Sequence, residues 1–562
     1  MSVEQLMRNV RMIARWERLS GSPEERQAFA YLEGELRALG LRTQLLEHPA
    51  LISLPRGATF RLAGPGGKGD EALPCITHSF SAATAPLDAP VVYLPEGADA
   101  SPESLAGRIV VTDGLAMPHR VADLQRARAA AAVFLNRDPL VHEMIVSTVW
   151  GSPTPDRLAE LPTIAVLSLA GAAARRLREA LGSGAPVRAV LATQVDTSWR
   201  TLPLLVADLP GTGEDTYVLL AGHVDSWYRG AMDNAAANAA MLEIARLMTR
   251  GRRYRGLRLA FWSGHSHGRY AGSTWYADTF WDDLDRRCAV HLYIDSVGGR
   301  GATELARSYC MPETKAVGAA AVRKVAGQVY EGARVGRAGD QSFLGIGIPS
   351  LFMTLSEHPA DGPERSADFA LTGGATGGLG WWWHTPEDTP DKIDPAHLAR
   401  DTAVYFEAVR AFCVKPLLPL DYAATASEVA AQLQTLQARL GDRFDLSGCL
   451  TEARALRRAA RALRTAGKTA PARRRRIERV NRALMRLGRI LIPVLYTRSG
   501  RFDHDPATSI PPLPPLAGAE ALADLSPDSA EAHALTVALT RGRNRLLDAL
   551  RRARAVAEEA AE

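Results

Sequence analysis

The stretch Ala221-Gly222-His223-Val224-Asp225, followed at short range by Gly230-Ala231-Met232-Asp233-Asn234, brings one imidazole and two carboxylates close together along the chain. These are ligand types for a divalent metal. Residues 216–221 are apolar and rich in Val and Leu, so they read as a buried strand with His223 and Asp225 at its C-terminal end, where α/β sheets bind their ligands. Asp233 and Asn234 open an alanine-rich helical run to about residue 250, which sets Asp233 at a helix N-terminus within reach of a metal held by His223. Asp225 lies two residues from His223 on the same strand face and is expected to orient the imidazole by accepting its second N–H. Taken alone, a His-x-Asp pair is equally compatible with a simple hydrogen-bonded couple.

Two further segments repeat the pattern of a strand that ends in chemistry, and a fourth strand-like run is preceded by it. Residues 257–262 run into Ser263-Gly264-His265-Ser266-His267-Gly268, residues 289–294 end at Asp295, and residues 346–355 follow Gly339-Asp340-Gln341-Ser342-Phe343. A glycine-rich approach over 373–380 and the three tryptophans Trp381 to Trp383 lead into His384-Thr385-Pro386-Glu387-Asp388, and a helix is expected from about Pro395. Arg269 and Tyr270, directly after the His-Ser-His segment, are candidates to meet a substrate carboxylate or a developing oxyanion. Trp383 is a candidate wall of a substrate pocket. Asp340 reads as a turn cap.

In this order the residues resemble the co-catalytic zinc aminopeptidases and glutamate carboxypeptidases, a family whose relatives include the transferrin receptor. His223-x-Asp225, Asp233-Asn234, Asp295, Gly339-Asp340-x-Ser342-Phe343, Gly347-Ile348-Pro349-Ser350 and His384-Thr385-Pro386 carry the likeness. So do the N-terminal helix over 21–39 and the tail around Tyr496 to Phe502, which sits where members carry a helical dimerisation domain. The resemblance implies a pair of zinc ions sharing Asp233, one adding His223 and Asp295, the other adding His384 and an acidic ligand. Two cations a few ångströms apart polarise a scissile carbonyl and activate water, and the shared carboxylate offsets their repulsion. Asp225 would orient His223, and Asp388 would do similar work near His384.

The chain departs from the family at one place. Where members carry two consecutive glutamates, one a general base and the next a metal ligand, this sequence has His265-Ser266-His267. Aligning on Gly268 sets His265 at the base position and Ser266 at the ligand position; aligning on Gly272-Ser273 sets Ser266 and His267 there. Either His265 or His267 is thus a candidate catalytic base or metal ligand. Imidazole suits zinc, iron, copper or nickel, so one or two zinc ions are expected, with another divalent transition metal as the alternative. Loss of negative charge beside the metals makes a single-metal site credible.

Composition bounds the rest. The chain has 562 residues and 46% hydrophobic content, ample for more than one core, and it holds no apolar run long enough to span a membrane. The start carries charges throughout and does not read as a signal peptide, which leads to the expectation of a cytoplasmic protein. Cys75, Cys288, Cys310, Cys413 and Cys449 are few and scattered, as free thiols are. The basic pI is local: residues 452–489 hold 13 Arg and one Lys against two Glu, a balance of +12 in a chain whose total is +5. Within that segment Ile477, Val480, Leu484, Leu487 and Leu491 mark an amphipathic helix. Aromatic residues do not interleave the charges, so nucleic acid is not expected as a partner.

The fold expected is α/β, a mixed-sheet zinc-peptidase core with an inserted α/β domain resembling the protease-associated domain, and a C-terminal helical domain. Residues 1–50 form the first part of the catalytic domain, 51–199 the insert, 200–415 the catalytic domain and 416–562 the helices, through which a homodimer would form. The activity that follows is metal-dependent hydrolysis of amide bonds in a small peptide or N-acyl amino acid. A non-catalytic binding or scaffold homologue like the transferrin receptor, or a metalloenzyme of altered chemistry, is the alternative.

Overall fold

The computed structural model describes residues 1–63, 70–337, 339–371, 379–468 and 474–562. Most of the glycine-rich approach to Trp381 and one residue of the basic run, Arg473, fall outside them. The strand Tyr217–His223 is buried along its whole length, which is why its sequence is an unbroken apolar run. Gly256–Trp262 pairs with it in parallel on one side and Cys288–Tyr293 on the other. Register then does the positioning. Trp262 pairs with His223 and Tyr293 with Ala221, so the three strands end level and hand their next residues to one edge of the sheet. The run expected over 346–355 contributes only the short strand Ser350–Leu351, parallel to Cys288–Tyr293.

Alternate residues of the central strand feed two cores. Val218 and Leu220 pack with the helices Val3–Ile13, Pro23–Ala38, Ala237–Met248 and Pro395–Val414, whereas Leu219 and Ala221 pack with Tyr276, Leu284 and Phe343 on the opposite face.

Two long strands, Arg42–Leu62 and Arg188–Leu209, pair antiparallel and carry the chain out of this core and back. Between them lies the inserted α/β lobe. Its strands Thr84–Tyr93, Ile109–Asp113, Ala131–Leu135 and Ala165–Leu169 run parallel and continue the same sheet. Beyond Val414 the chain is helical: Tyr422–Leu440, Ser447–Lys468, Arg474–Tyr496 and Ala530–Ala561 pack as a bundle around Leu433, Leu456, Leu463, Leu487, Leu546 and Leu550. The fold is therefore α/β with a mixed sheet, an inserted lobe and a C-terminal helical domain. All five cysteines are unpaired. No helix among the described residues is long and apolar enough to cross a membrane.

The seam between core and bundle contains a buried carboxyl group. Glu313 at the start of the helix Pro312–Ala326 accepts a hydrogen bond from the Thr425 hydroxyl at 2.7 Å, and burial pushes it up to about 7. A carboxyl whose folded value lies above its unfolded one costs stability once the unfolded chain ionises, so its effect grows as pH rises from about 4.5 and levels off above about 7. Urea denaturation of Glu313→Gln against wild type should show no gain near pH 4 and a gain on the order of 3 kcal/mol at pH 8.

Candidate metal centre

The level strand ends deliver His223 and Asp295, and the turn after the central strand returns Asp233 between them. His223 Nε2 lies 2.9 Å from Asp233 Oδ1 and 3.6 Å from Asp295 Oδ2. His384, from a loop far along the chain, places its own Nε2 2.9 Å from Asp233 Oδ2. Each oxygen of Asp233 thus faces one imidazole. His265 completes the cluster: its ring stacks on that of His223 at 3.8 Å, and ring nitrogens of both lie with an Asp295 oxygen inside a 4.8 Å span.

The local sequence fixes this turn through backbone contacts. Gly230 has φ of +46°, and a Cβ there would stand 2.2 Å from the Asp233 carbonyl oxygen, so only glycine fits. Asp388 accepts the main-chain N–H groups of Met232 and Asp233 at 2.8 and 3.0 Å, which corrects the expectation that it would serve His384. Burial pushes Asp388 up to about 7. Arg18 is wholly buried and donates to the carbonyls of Ile13, Trp16, Val224, Arg229 and Gly230 at 2.7–3.1 Å. Asn234 ties the turn to the neighbouring strand by donating to Ile294 and accepting from Ser296 N–H.

Asp225 also acts differently from expectation. The ring N–H of His223 meets the main-chain carbonyl of Asp225 at 2.8 Å, whereas the carboxylate is 3.7 Å away. That carboxylate accepts from Ser266 N–H, from His265 N–H and from the Ser20 hydroxyl, and so shapes the His-Ser-His loop.

The two histidines of the loop part company. His265 Nδ1 lies 2.6 Å from Asp340 Oδ2 and 3.2 Å from the Tyr293 hydroxyl, which itself donates to Asp295. Asp340, read from sequence as a turn cap, is buried and held on its other oxygen by the Ser273 hydroxyl. His267 packs on Trp227 with ring centroids 4.2 Å apart, and its buried Nε2 has no hydrogen-bond partner among the described residues. Tyr270 lies edge-on to His265. Arg269 is committed elsewhere: its guanidinium donates to the carbonyls of Ile145 and Ser147, pinning the inserted lobe rather than facing the cluster. Trp383 stacks on His384 at 3.4 Å.

The inserted lobe reaches the centre through Glu143. Its main-chain carbonyl accepts the Nδ1–H of His384 at 2.6 Å, and its N–H donates to the His384 carbonyl. Its carboxyl group is buried, takes the Tyr228 hydroxyl on Oε1, and has no partner on Oε2 among the described residues. Burial pushes it up to about 8. Tyr228, Arg269, Tyr270, Ser296 and His384 all hold positive φ, a concentration of unusual backbone around one site.

These groups fit a metal. His223 and His384 each donate Nδ1–H to a main-chain carbonyl, which leaves Nε2 as the atom turned toward a carboxylate oxygen at 2.9 Å. A nitrogen and a carboxylate oxygen at that distance share a cation, either a proton on Nε2 or a metal ion that takes its place. His223 Nε2 and Asp233 Oδ1 have no hydrogen-bond partner among the described residues. The field agrees: burial disfavours a charged His223, yet Asp295 and Asp233, with Asp225, hold its pKa well above the usual range. At His384 burial prevails and lowers the value. Ligands about 2.0–2.1 Å from a tetrahedral zinc are about 3.3 Å apart, close to the separations here.

Residues 205–409 match the model of peptidase family M28, a span that contains every one of these groups except Arg18, Ser20 and the insert's residues. The chain is similar to a probable glutamate carboxypeptidase of Zea mays, 29% identical over 40% of this chain and 32% of that protein. It is similar also to a glutamate carboxypeptidase 2 homolog of Caenorhabditis briggsae, 30% identical over 16% of this chain and 12% of that one. The matches thus span a third or less of these relatives. Among solved structures, a zinc aminopeptidase from Bacillus subtilis superposes with a TM-score of 0.56 at 18% identity, covering 74% of this chain and 97% of that one. An aminopeptidase from Aneurinibacillus sp. strain AM-1 gives 0.55 at 21%, covering 74% and 94%. Over residues 205–409 the chain matches peptidase family M28, and its fold is that of these aminopeptidases.

Arg18 gives this scaffold a direct test. Arg18→Met leaves five carbonyls and the nearby carboxylates without their cation and should cost roughly 3–5 kcal/mol in urea denaturation. Arg15→Met, on the exposed face of the same segment, should leave the midpoint unchanged.

Proposed function

We propose that the protein is a metal-dependent hydrolase of amide bonds, acting on a small peptide or N-acyl amino acid, with a remodelled metal centre. The observation that carries this reading is the Asp233 carboxylate facing one imidazole Nε2 on each oxygen, with both Nδ1 atoms turned to main-chain carbonyls. His223, Asp233 and Asp295 would hold one divalent metal, zinc in the first place, with His265 as an added ligand whose orientation Asp340 sets. Asp233 and His384 would hold a second. A divalent ion bound there supplies Lewis acidity toward a carbonyl oxygen and lowers the pKa of water.

The chain's own residues supply the rest. His265 Nδ1 is engaged by Asp340 and the Tyr293 hydroxyl, so proton transfer would fall to a neighbour with a free polar atom. His267 and Glu143 each carry one: His267 packs on Trp227, whose ring also lies beside His384, and Glu143 meets His384 through its main-chain carbonyl. Trp383 and Tyr270 would wall the substrate site. The similarity to proteins named as aminopeptidases and glutamate carboxypeptidases supports a peptide-like substrate.

Metal content per chain by elemental mass spectrometry, beside turnover of an amide and dipeptide library, tests this reading. The Asp233 centre should carry one tightly bound equivalent and a second that dialysis removes, read as the difference between wild type and the double variant His223→Ala with Asp233→Asn. Asp340→Asn should weaken metal binding about 10–100-fold. Glu143→Gln and His267→Gln should keep the metal, and the one that handles the proton should lose about 10²–10⁴-fold in kcat. Metal without hydrolysis of any amide points to altered chemistry, and no metal after incubation with zinc, manganese, iron and cobalt overturns the reading in favour of a binding protein.

A further inference from the structure

The arrangement that marks His223 and His384 recurs one layer behind the centre. His142, from the inserted lobe, sets Nδ1 2.6 Å from the main-chain carbonyl of Trp383 and Nε2 3.0 Å from Asp138 Oδ2 and 3.9 Å from Asp368 Oδ2. All three side chains are buried, and one ligand atom from each lies inside a 4.8 Å span. A carbonyl oxygen only accepts, so Nδ1 carries the hydrogen and Nε2 is the atom turned to the two carboxylates, where either a proton or a metal ion can sit. One imidazole nitrogen and two carboxylates converge in a buried place with no Lys or Arg side chain bonded to them.

The two carboxylates are also held as metal ligands are held. Asp368 accepts the main-chain N–H groups of Arg137 and Asp138. Asp138 accepts those of Ala367 and Asp368 and the Ser366 hydroxyl. Backbone donors behind each carboxylate and a carbonyl behind the imidazole are the outer contacts that fix ligand orientation and tautomer. The separations of 3.0 and 3.9 Å bracket the spacing of about 3.3 Å expected between ligands on a tetrahedral zinc.

We propose that Asp138, His142 and Asp368 bind a second class of metal ion, a divalent transition metal of borderline hardness such as zinc or manganese, outside the Asp233 centre. One nitrogen and two carboxylates suit that class better than copper or calcium. The ion joins two parts of the chain: Asp138 and His142 belong to the inserted lobe, Asp368 to the short helix Ala367–Leu371 beside the catalytic core. His142 grips Trp383 and the next residue, Glu143, grips His384, so a metal here sets the position of a residue in the main centre without touching it. The site stands whether or not the hydrolase reading holds.

The test uses the full chain with the main centre disabled by His223→Ala and Asp233→Asn together, so that loss of the main site cannot imitate loss of this one. After treatment with chelator, incubation with zinc or manganese and gel filtration, this variant should retain about one equivalent. Adding Asp368→Asn or His142→Gln should cut retention at least tenfold and abolish the rise in Tm that the metal gives. Circular dichroism and the metal-free Tm establish that each variant is folded. A folded double variant that retains no metal, or one equivalent that neither added substitution removes, overturns the proposal and leaves His142 as a proton-carrying partner of the two carboxylates.

Discussion

A single buried carboxylate organises the candidate metal centre. Asp233 presents one oxygen to His223 and the other to His384, and both imidazoles have already spent their N–H on a main-chain carbonyl. Two nitrogen lone pairs and a carboxylate cannot share a dry space without positive charge, because an unpaired buried charge costs several kcal/mol. That requirement explains the surroundings. Arg18 brings a permanent cation beneath the turn, Asp388 holds the backbone of Asp233 by two N–H groups, and Gly230 admits the close approach that the turn needs.

The same carboxylate ties the lobes together. His223 and Asp233 come from consecutive pieces of the core, but the orientation of His384 depends on Glu143, 241 residues away in the inserted lobe. Arg269 secures the lobe from the opposite side by donating to Ile145 and Ser147. Residues 142–147 are thus a strip of the insert that the core grips at both ends. Met144, Ile145 and Val146 of this strip are buried in the insert's own core, so the lobe's packing and the orientation of the His384 ring are set together.

Much of this was legible in the chain itself, for a physical reason. His223, the His-Ser-His loop and Asp295 follow buried apolar runs, and parallel strands in register must deliver their C-terminal residues to one edge. His384 was legible through the likeness of its motif. What local sequence cannot carry is the partner of a side chain. Asp340 reads as a turn cap because nothing nearby says that its oxygen meets His265. Arg269 reads as a substrate contact because exposed and buried arginines look alike until the insert is seen to cover it. The choice between His265 and His267 depends on which way a six-residue loop turns, and Asp225 decides that by taking the N–H groups of His265 and Ser266. Glu143 had no signal, since its residue type is common and its segment lies outside the peptidase-like region.

Exchanging carboxylate for imidazole does more than remove charge; it makes the two halves of the centre unequal. On the His223 side His223, His265 and Asp295 cluster and Asp233 meets His223, donor types that could close around a tetrahedral ion on the proposed reading. Closed sites hold metal firmly and leave no position for a reacting water, whereas catalytic ions keep one open. On the His384 side Asp233 and His384 are the donors that meet, with His267 packed on Trp227 beside them and Glu143 bonded to His384. On the proposed function, the half without the added imidazole would be the half with room for substrate, and the half with it would anchor Asp233. On this reading the histidines are a redistribution of the site's work, with firm binding assigned to one ion and chemistry to the other.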